Sequence, residues 1–391
     1  MKKILVIAPT PFFADRGTHI RILEEALALE KLGHQVTIAT YHIGSEIDSS
    51  VETKISVRRI RRLLFWYKKL EAGPDWQKIF LDLMLIRKVF NIARTEKPDI
   101  IHAHLHEGVL IGWIVKSCLF WRKMKLVSDF HGSLTKEMVS HSYLQAGMLK
   151  KIFSLIEKII DNLGDAAITS SDENTQEIID FRKDKNVVTV LDGANQDHHK
   201  NLPSKENLKR EFEFPSGKII VTYAGAMVMN KGITYLLEAI PLVLAKNKDI
   251  FFVIAGFPVE GVSQFVAENN LASDVRVVSP LSYFEMPKIL LASDIGVDPK
   301  DSSIRQASGK ILQYMAAGLP VACFDRHNNR TYLGQGGEFS KQACAQGLAQ
   351  AILSLAASQD KMREKGEINK VRIKDFSWEI SAKKIEAIYN Q

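Results

Sequence analysis

The chain has 391 residues, 46% of them hydrophobic and 25% charged, which is typical of a globular protein of two or three domains. A net charge of +7 suits phosphorylated substrates or an anionic surface, and it does not demand nucleic acid. Cys118, Cys323 and Cys344 lie far apart without a C-x-x-C pair, which favours reduced cytosolic thiols over a zinc motif. The first apolar run, residues 4–8, is too short for the core of a signal peptide, so we expect a cytoplasmic protein.

Strand and helix patterns alternate through the first half of the chain. Short apolar runs predict strands, and segments with helical spacing lie between them. The predicted strands are 4–8, 36–40, 100–104, 126–130, 166–170 and 187–191, and the predicted helices are 19–32, 77–95, 108–122, 148–163 and 172–181. Continuous apolar strands joined by helices indicate a parallel sheet that is covered on both faces.

A polar segment with two prolines, 199–217, predicts a linker with a short helix, and a second alternating set follows it. Ser282 and Glu285 predict a capping box for one of its helices. The predicted strands are 219–223, 251–255, 275–278, 295–297 and 321–323, and the predicted helices are 232–246, 261–269, 283–292, 309–317, 341–357, 359–370 and 377–389. The predicted organisation is therefore a domain at 1–198, a linker at 199–217, a domain at 218–374 and a terminal helix at 375–391. Two doubly wound domains favour a ligand cleft at the carboxyl ends of their strands.

Two glycine turns after predicted strands suit the close approach of a phosphate group. Gly17, between the first strand and the first helix, leaves a backbone amide accessible to an anion, although an ordinary turn is the alternative. In the second half Gly225 ends a strand, and Lys231 with Gly232 opens a helix. This arrangement can hold a phosphate but lacks the Walker sequence, and a surface lysine at a turn explains it equally well.

The stretch SSIRQASGKILQYMAAGLPVAC, residues 302–323, is a loop, a helix and a short strand. Ser308 is a good N-cap residue, and Lys310 lies in the first turn of the helix. A cation at this end of a helix is unfavourable unless an anion also binds there, and phosphate is the obvious anion. The alternative is a solvated lysine on an ordinary amphipathic helix.

Alternate histidines mark the predicted strand at 100–104. His102, His104 and His106 have period two and are expected to share one face, so a metal site must be considered. Only Glu107 among nearby residues could complete a ligand set, and we therefore predict no metal. His131 follows the next strand and suits a polar or general-base role, or the capping of the following segment.

Residues 54–70, KISVRRIRRLLFWYKKL, combine seven cations with aromatic and aliphatic side chains and contain no acid. This composition fits contact with an anionic membrane surface. The alternative is an edge strand with a basic solvated face, followed by a loop that covers the core. The most apolar segment, 109–126, carries four cations, so no clean membrane-spanning helix is expected.

Taken together, these stretches resemble the family-4 (group 1) glycosyltransferases of the GT-B fold over nearly the whole chain. The matching stretches in the first half are the Gly17 loop, LGHQVTI, KPDIIHAH, DFHGS, ITSSDENTQEI and LDGAN. Those in the second half are YAG, NKGI with LLEAI, IAG, SGKILQYMAAGLPV and the terminal FSWEISAKKIEAIY. The resemblance implies two Rossmann-like doubly wound domains that face a cleft, with a C-terminal helix that returns to the first domain.

The resemblance further implies a retaining, hexosyltransferase-like enzyme that needs no metal or other cofactor. It would move a sugar from a nucleotide-diphosphate sugar to a glycan or lipid-linked acceptor, in polysaccharide or glycolipid synthesis. The second domain would hold the donor. The implied catalytic residues are His131, beside the transferred sugar, and Lys231, at the diphosphate. The other implied donor-binding residues are Gly17, Gly225, Ser308, Gly309, Lys310 and Gln313. We add Arg305 to the donor-binding set as a separate hypothesis.

Three positions depart from the family pattern. Ala226 replaces the arginine that usually follows the strand-end glycine, and Arg305 and Gln313 replace the two glutamates of E-x7-E. A missing arginine would cost about 2 kcal/mol of leaving-group stabilisation, or about thirtyfold in rate. Arg305 could supply the lost cation or pair with a carboxylate on the donor sugar, or it could simply face solvent.

These departures leave a second function class open, namely a nucleotide-sugar-binding partner that has lost activity. A nucleic-acid binder is disfavoured, because no recognition module occurs and the basic run is single and local. The prediction is therefore a cytoplasmic glycosyltransferase that lies peripherally at the inner membrane face, if the segment 54–70 contacts lipid.

Overall fold

The short apolar runs of the first half form parallel strands that alternate with helices. The computed structural model describes residues 1–63, 65–68, 75–140, 143–144, 147–183, 186–301 and 308–391. Arg305, within 302–307, lies outside the described residues, as do residues 64, 69 and 70 of the basic segment. Contacts divide the chain into a first domain, Met1–Leu191 with Trp378–Gln391, and a second domain, Asp192–Ser377.

The described residues of the first domain form seven strands. The strands are β1 (Lys3–Ala8), β2 (Gln35–Thr40), β3 (Ser56–Arg59), β4 (Ile100–His104), β5 (Lys125–Phe130), β6 (Ala166–Thr169) and β7 (Val187–Thr189). The helices are α1 (Gly17–Lys31), α2 (Gln77–Glu96), α3 (Leu105–Cys118), α4 (Leu134–Ser140), α5 (Met148–Asp161) and α6 (Asp172–Ile179). The C-terminal helix Trp378–Asn390 packs against α1 in this domain.

The first sheet has the strand order β3-β2-β1-β4-β5-β6-β7, and all its pairs are parallel. Crossover connections between parallel strands are right-handed. Two helices therefore lie on opposite faces of the sheet when their connections run in opposite directions across it. Accordingly α2 contacts α3, and α3 contacts α5, whereas α1 packs with the C-terminal helix. The order of the chain reverses between β1 and β4, so the carboxyl ends of these strands are the expected ligand position.

The second domain repeats this architecture with six strands. They are β8 (Ile219–Ala224), β9 (Ile250–Ala255), β10 (Val275–Val278), β11 (Ile295–Asp298), β12 (Val321–Phe324) and β13 (Gly337–Ser340). The helices are α7 (Lys205–Glu211), α8 (Ile233–Leu244), α9 (Glu260–Glu268), α10 (Met286–Leu291), α11 (Gly309–Ala316), α12 (His327–Leu333), α13 (Ala345–Ala356) and α14 (Gln359–Arg372); the C-terminal helix is α15.

The second sheet has the order β10-β9-β8-β11-β12-β13 and is also parallel throughout. Its core consists of buried aliphatic and aromatic side chains from the strands, α8 and α13. The order of the chain reverses between β8 and β11. Two doubly wound parallel-sheet domains confirm the predicted fold class.

Several local predictions needed correction. The capping box at Ser282 was wrong, because α10 begins at Met286 and the Ser282 hydroxyl accepts the amide hydrogen of Phe284 at 3.3 Å. The first domain ends at Leu191, before the predicted residue 198, because Ala194 already pairs with Ser377 inside the second domain. The edge strand that the alternative placed in the basic segment is present as β3, which pairs only with β2 among the described strands. Contact of this segment with a membrane stays a prediction.

The sequence also missed β13, α4 and α12, which are short and carry weak periodicity. No helix in the described parts of the chain is both long and apolar enough to cross a bilayer.

Candidate active site

In the second domain, polar side chains gather where β8 and β11 end. Gly225 follows β8 with φ +138°, a region that favours glycine. A Cβ atom at Gly225 would lie 3.4 Å from Cε of Lys310, so the missing side chain makes room for the lysine. Asp298 ends β11 and is fully buried. The point of chain reversal therefore brings Gly225, Asp298 and Lys310 together.

The carboxylate of Asp298 anchors the start of α11. Ser308 occupies the predicted N-cap position, but its hydroxyl caps no helix amide. It donates instead to Oδ1 of Asp298 at 3.0 Å, and Nζ of Lys310 lies 3.7 Å from the same oxygen. The buried carboxylate thus positions the first turn of α11 and offsets part of the charge on Lys310.

Lys310 is an unusual buried cation. Its Nζ atom lies 3.7 Å from the ring centroid of Tyr223 and has no hydrogen-bond partner among the described residues. Burial lowers the pKa of Lys310 to about 8; the charge of Lys231 adds to this shift, and Asp298 opposes it. A buried ammonium group that donates no hydrogen bond can bind an anion strongly.

Two further lysines add positive charge to this position. Lys300 follows β11 and is buried, and burial together with the charge of Lys231 holds the pKa of Lys300 well below its usual range. Lys231 ends a short 3₁₀ turn, Met229–Lys231, and is half-buried. Because Lys231 affects the pKa of both Lys300 and Lys310, the three lysines form one electrostatic cluster around the buried carboxylate of Asp298. Such a cluster favours the binding of a multiply charged anion.

The remaining predicted donor residues lie around this cluster. Gly309 opens α11, and a Cβ atom there would lie 3.5 Å from Oδ2 of Asp192. The structure therefore brings Gly225, Lys231, Ser308, Gly309 and Lys310 to one end of the sheet. Gln313 is buried and lies one turn further along α11. Gly17 and His131 lie in the first domain, at the start of α1 and directly after β5.

In the first domain, the predicted histidine face is only partly correct. The rings of His102 and His104 stack at 4.6 Å with an interplanar angle of 11°, as period two requires. His106 leaves this face because Leu105, with φ 63°, turns the chain into α3. His131 joins the pair instead, with its Nε2 atom 3.1 Å from Nδ1 of His104.

Asp129 lies below these rings and is fully buried. Burial alone would raise its pKa, but the guanidinium group of Arg21 and a hydrogen bond from His102 outweigh burial and hold the pKa of Asp129 well below its usual range. Nη2 of Arg21 lies 3.1 Å from Oδ2 of Asp129 and 2.8 Å from Oε1 of Glu25. The polar centre of this domain is therefore an arginine held between two carboxylates.

The burial of His131 decides its protonation state. Burial lowers the pKa of His131 to about 3, and Arg21 adds to this shift while Asp129 opposes it. The imidazole is therefore neutral at physiological pH. In this state it can accept or donate a hydrogen bond.

Glu25, His102, His104 and Asp129 offer ligand atoms that all lie within 4.8 Å of one another, so their geometry could hold a metal ion. The guanidinium group of Arg21 already supplies positive charge to both carboxylates of this group. The prediction of an enzyme without a metal is not tested by this geometry and stays a prediction.

Sequence reasoning missed Asp298, Lys300, Arg21 and Glu25. Asp298 and Lys300 had a readable signal, because VDPK places a carboxylate and a lysine directly after a predicted strand. Arg21 and Glu25 are four residues apart on one face of a predicted helix, a spacing at which opposite charges can pair.

Solved structures share this fold across the whole chain. Sucrose-phosphate synthase from Thermosynechococcus elongatus superposes with a TM-score of 0.80 at 17% identity, covering 100% of this chain and 99% of that one. Anabaena Alr3699/HepE, solved with UDP-glucose, gives a TM-score of 0.76 at 15% identity and covers 100% of both chains. The two domains therefore form a fold of the GT-B class.

Family models match both domains. Residues 16–196 match Glycosyltransferase Family 4, and residues 218–358 match Glycosyl transferases group 1. The chain is 24% identical over 397 residues to D-inositol 3-phosphate glycosyltransferase of Corynebacterium aurimucosum, covering 95% of this chain and 90% of that protein. The chain belongs to the group 1, family 4 glycosyltransferases, as the sequence motifs predicted.

Proposed function

We propose that this glycosyltransferase moves a hexose from a nucleotide-diphosphate sugar to a glycan or lipid-linked acceptor, with retention of configuration and without a bound metal. One observation carries the proposal: the buried ammonium group of Lys310, which has no hydrogen-bond partner among the described residues. Lys231, Lys310 and the amides at the start of α11 would receive the diphosphate. The bound nucleotide in the Anabaena structure supports a donor of this class.

The chemistry follows from the charge of the leaving group. A nucleoside diphosphate departs with negative charge, and fixed ammonium groups and helix amides stabilise that charge where it develops. Lys231 and Lys310 would supply this stabilisation in place of a divalent metal. Gln313 would hydrogen-bond a ribose hydroxyl without charge, and neutral His131 would contact the transferred sugar through a hydrogen bond.

The acceptor and the cellular location are proposed from a relative and from the basic segment. The name of the Corynebacterium relative refers to an inositol phosphate acceptor, which fits an anionic or lipid-linked acceptor in glycolipid or polysaccharide synthesis. We propose a peripheral location at the cytoplasmic membrane face. In the basic segment Leu63, Phe65 and Trp66 are exposed, which supports this location. Arg59 of the same segment donates hydrogen bonds to the carbonyl oxygens of Phe12, Ile43 and Ser45.

Replacement of Lys231 by alanine tests the donor site. We expect the Kd for the best nucleoside diphosphate of a UDP, GDP and ADP panel to rise by about tenfold to hundredfold, because one charge-assisted phosphate contact is lost. Calorimetric titration measures this change. Lys288→Ala is the matched control, since Lys288 pairs with Glu285 at 2.9 Å on the surface of the same domain. Equal affinities in all three proteins would refute the diphosphate site.

The same preparation separates the enzyme from the alternative of an inactive binding partner, which Ala226 and Gln313 leave open. If the protein releases nucleoside diphosphate from a nucleotide sugar, and Lys231→Ala abolishes this release, the protein is an enzyme. Tight nucleotide binding without turnover on any acceptor identifies the partner.

The lowered pKa of Lys310 predicts a pH dependence of donor binding. The lysine must be protonated to meet a diphosphate, so affinity should be highest below about pH 8 and should fall as the pH rises through the value of about 8. At about pH 8.5 the binding of a nucleoside diphosphate should be accompanied by uptake of a proton. Calorimetric titration in buffers of different ionisation enthalpy detects this uptake. A Lys310→Arg protein remains charged at this position and should take up fewer protons than the wild type, with Lys300 as the remaining lysine of lowered pKa in the cluster. Equal uptake in both proteins would assign the proton to another group.

A further inference from the structure

Helix α5 of the first domain carries its apolar side chains on the outside. Its buried residues are Glu157, Ile160 and Asp161. Six apolar side chains face away from the domain with exposures between 43% and 79%, namely Met148, Leu149, Ile152, Leu155, Ile156 and Ile159. A surface helix normally shows the opposite arrangement, with its apolar stripe on the core and its charges in water.

Polar contacts hold α5 in this orientation. The backbone amide of Thr135 donates to Oε2 of Glu157 at 3.1 Å, and Nε2 of His106 lies 3.2 Å from Oδ1 of Asp161. Burial opposes the charged form of His106, but the hydrogen bond and the charge of Asp161 outweigh burial and raise its pKa. Rotation of the helix would break these contacts and leave buried carboxylates without partners. The outward apolar stripe is therefore fixed by the inner face.

Aromatic side chains on α3 and in the turn that follows it extend this surface. α3 contacts α5. Trp113 on α3 is exposed, as are Phe120 and Trp121 in the turn after Cys118. Phe181 is also exposed, and its ring centroid lies 4.3 Å from Nζ of Lys158 on α5. Aromatic residues of this kind are enriched where protein meets the lipid headgroup region.

The exposed charges on α5 itself all have one sign. Lys150, Lys151 and Lys158 are exposed on α5, and its only acids are the buried Glu157 and Asp161. Lys123, directly after the aromatic pair, is exposed as well. Long lysine side chains can keep their ammonium groups at phosphate level while their stems lie on the apolar surface.

The contrast with the second domain shows that this surface is not a general property of the chain. Among the described residues, the exposed large apolar side chains of the second domain are Met229, Leu242 and Val371. Among the described residues, the first domain exposes the six on α5 and five more on α2 and α3. An apolar surface of this extent marks a site that is covered in use.

We propose that the outer face of α5, together with Trp113, Phe120 and Trp121, docks on an anionic phospholipid bilayer. Charge complementarity selects this occupant. A second copy packed on the same face would bring the three lysines of α5 against their equivalents, and such like-charge contacts are unfavourable. The proposal is independent of sugar transfer and concerns residues outside the basic segment 54–70.

Sedimentation of the full chain with phosphatidylcholine vesicles, with and without phosphatidylglycerol, tests the docking face. We expect binding to the anionic vesicles, with partitioning weakened by about tenfold or more in Leu155→Gln/Ile159→Gln, because two apolar contacts with the bilayer are lost. The triple change Lys150→Gln, Lys151→Gln and Lys158→Gln should weaken anionic binding on the order of a hundredfold. Leu242→Gln, exposed in the second domain, is the matched control and should bind like the wild type.

Nucleotide affinity and the thermal unfolding curve show whether each variant is folded. The proposal is overturned if the wild type does not sediment with anionic vesicles, or if Leu155→Gln/Ile159→Gln sediments equally well. It is also overturned if binding is lost only in Phe65→Ser/Trp66→Ser, which would assign the contact to the basic segment. A concentration-dependent dimer that Leu155→Gln/Ile159→Gln abolishes, without vesicle binding, would assign the face to a second copy.

Discussion

An Arg21→Met protein should unfold with a free energy about 3–5 kcal/mol lower than the wild type, because the change leaves two buried carboxylates without their cation. Methionine keeps most of the side-chain volume, so the loss reports charge and hydrogen bonding more than packing. Arg21 donates to Asp129 at 3.1 Å and to the carbonyl oxygen of Val190 at 3.2 Å, and it lies 2.8 Å from Glu25. It thereby ties α1 to β5 and to the residue that follows β7.

The tryptophans make this measurement specific to one domain. All five, Trp66, Trp76, Trp113, Trp121 and Trp378, lie in the first domain, so denaturation followed by tryptophan fluorescence reports that domain alone. Lys136→Met is the matched control, because Lys136 forms an exposed pair with Glu177 at 2.6 Å and should cost less than about 1 kcal/mol.

The pH dependence gives the prediction a second readout. The pKa of Asp129 is held below its usual range in the folded protein, so its stabilising contribution is present above the unfolded value and is lost as the pH falls through the folded value. Without Arg21 this pKa should rise, and the stability gap between the two proteins should narrow on acidification. A gap below about 1 kcal/mol at neutral pH would mean that Arg21 does not balance the two carboxylates.

The fold could be predicted because its signals are local. Each apolar run of β1, β4 and β9 is bounded by turn residues, and helical spacing between such runs fixes the doubly wound class. The sequence did not predict β13 because apolar and polar residues alternate only weakly in GEFS, which also begins with glycine. Ser308 was correctly placed at a helix start, but Asp298 competes for its hydroxyl, and only the tertiary structure decides between the two bonds.

The chemistry of the polar centres depends on contacts that no local pattern encodes. Arg21 and Asp129 are 108 residues apart in the chain and meet only because α1 and β5 pack in one domain. Helix α5 shows the same limit in another form. Its length and periodicity were predictable, but the face that turns inward is decided by His106 and Thr135, which lie on other segments.

A Lys310→Met protein should release nucleoside diphosphate from its nucleotide sugar about a hundredfold to a thousandfold more slowly than the wild type, because one preorganised donor to the developing charge is lost. Methionine again preserves the side-chain volume beside Tyr223. Lys288→Met is the control for the loss of a surface lysine in the same domain, and it should turn over at the wild-type rate.

Loss of Lys310 also leaves Asp298 with less compensating charge, so a folding defect must be separated from a catalytic one. The double change Lys310→Met/Asp298→Asn removes both charges of this buried pair and should recover stability without recovering turnover. Affinity for the nucleoside should be unchanged in both variants, whereas affinity for the nucleoside diphosphate should fall. If the double variant regains wild-type turnover, Lys310 serves only to neutralise Asp298, and the leaving group must be stabilised by Lys231 and the helix amides alone.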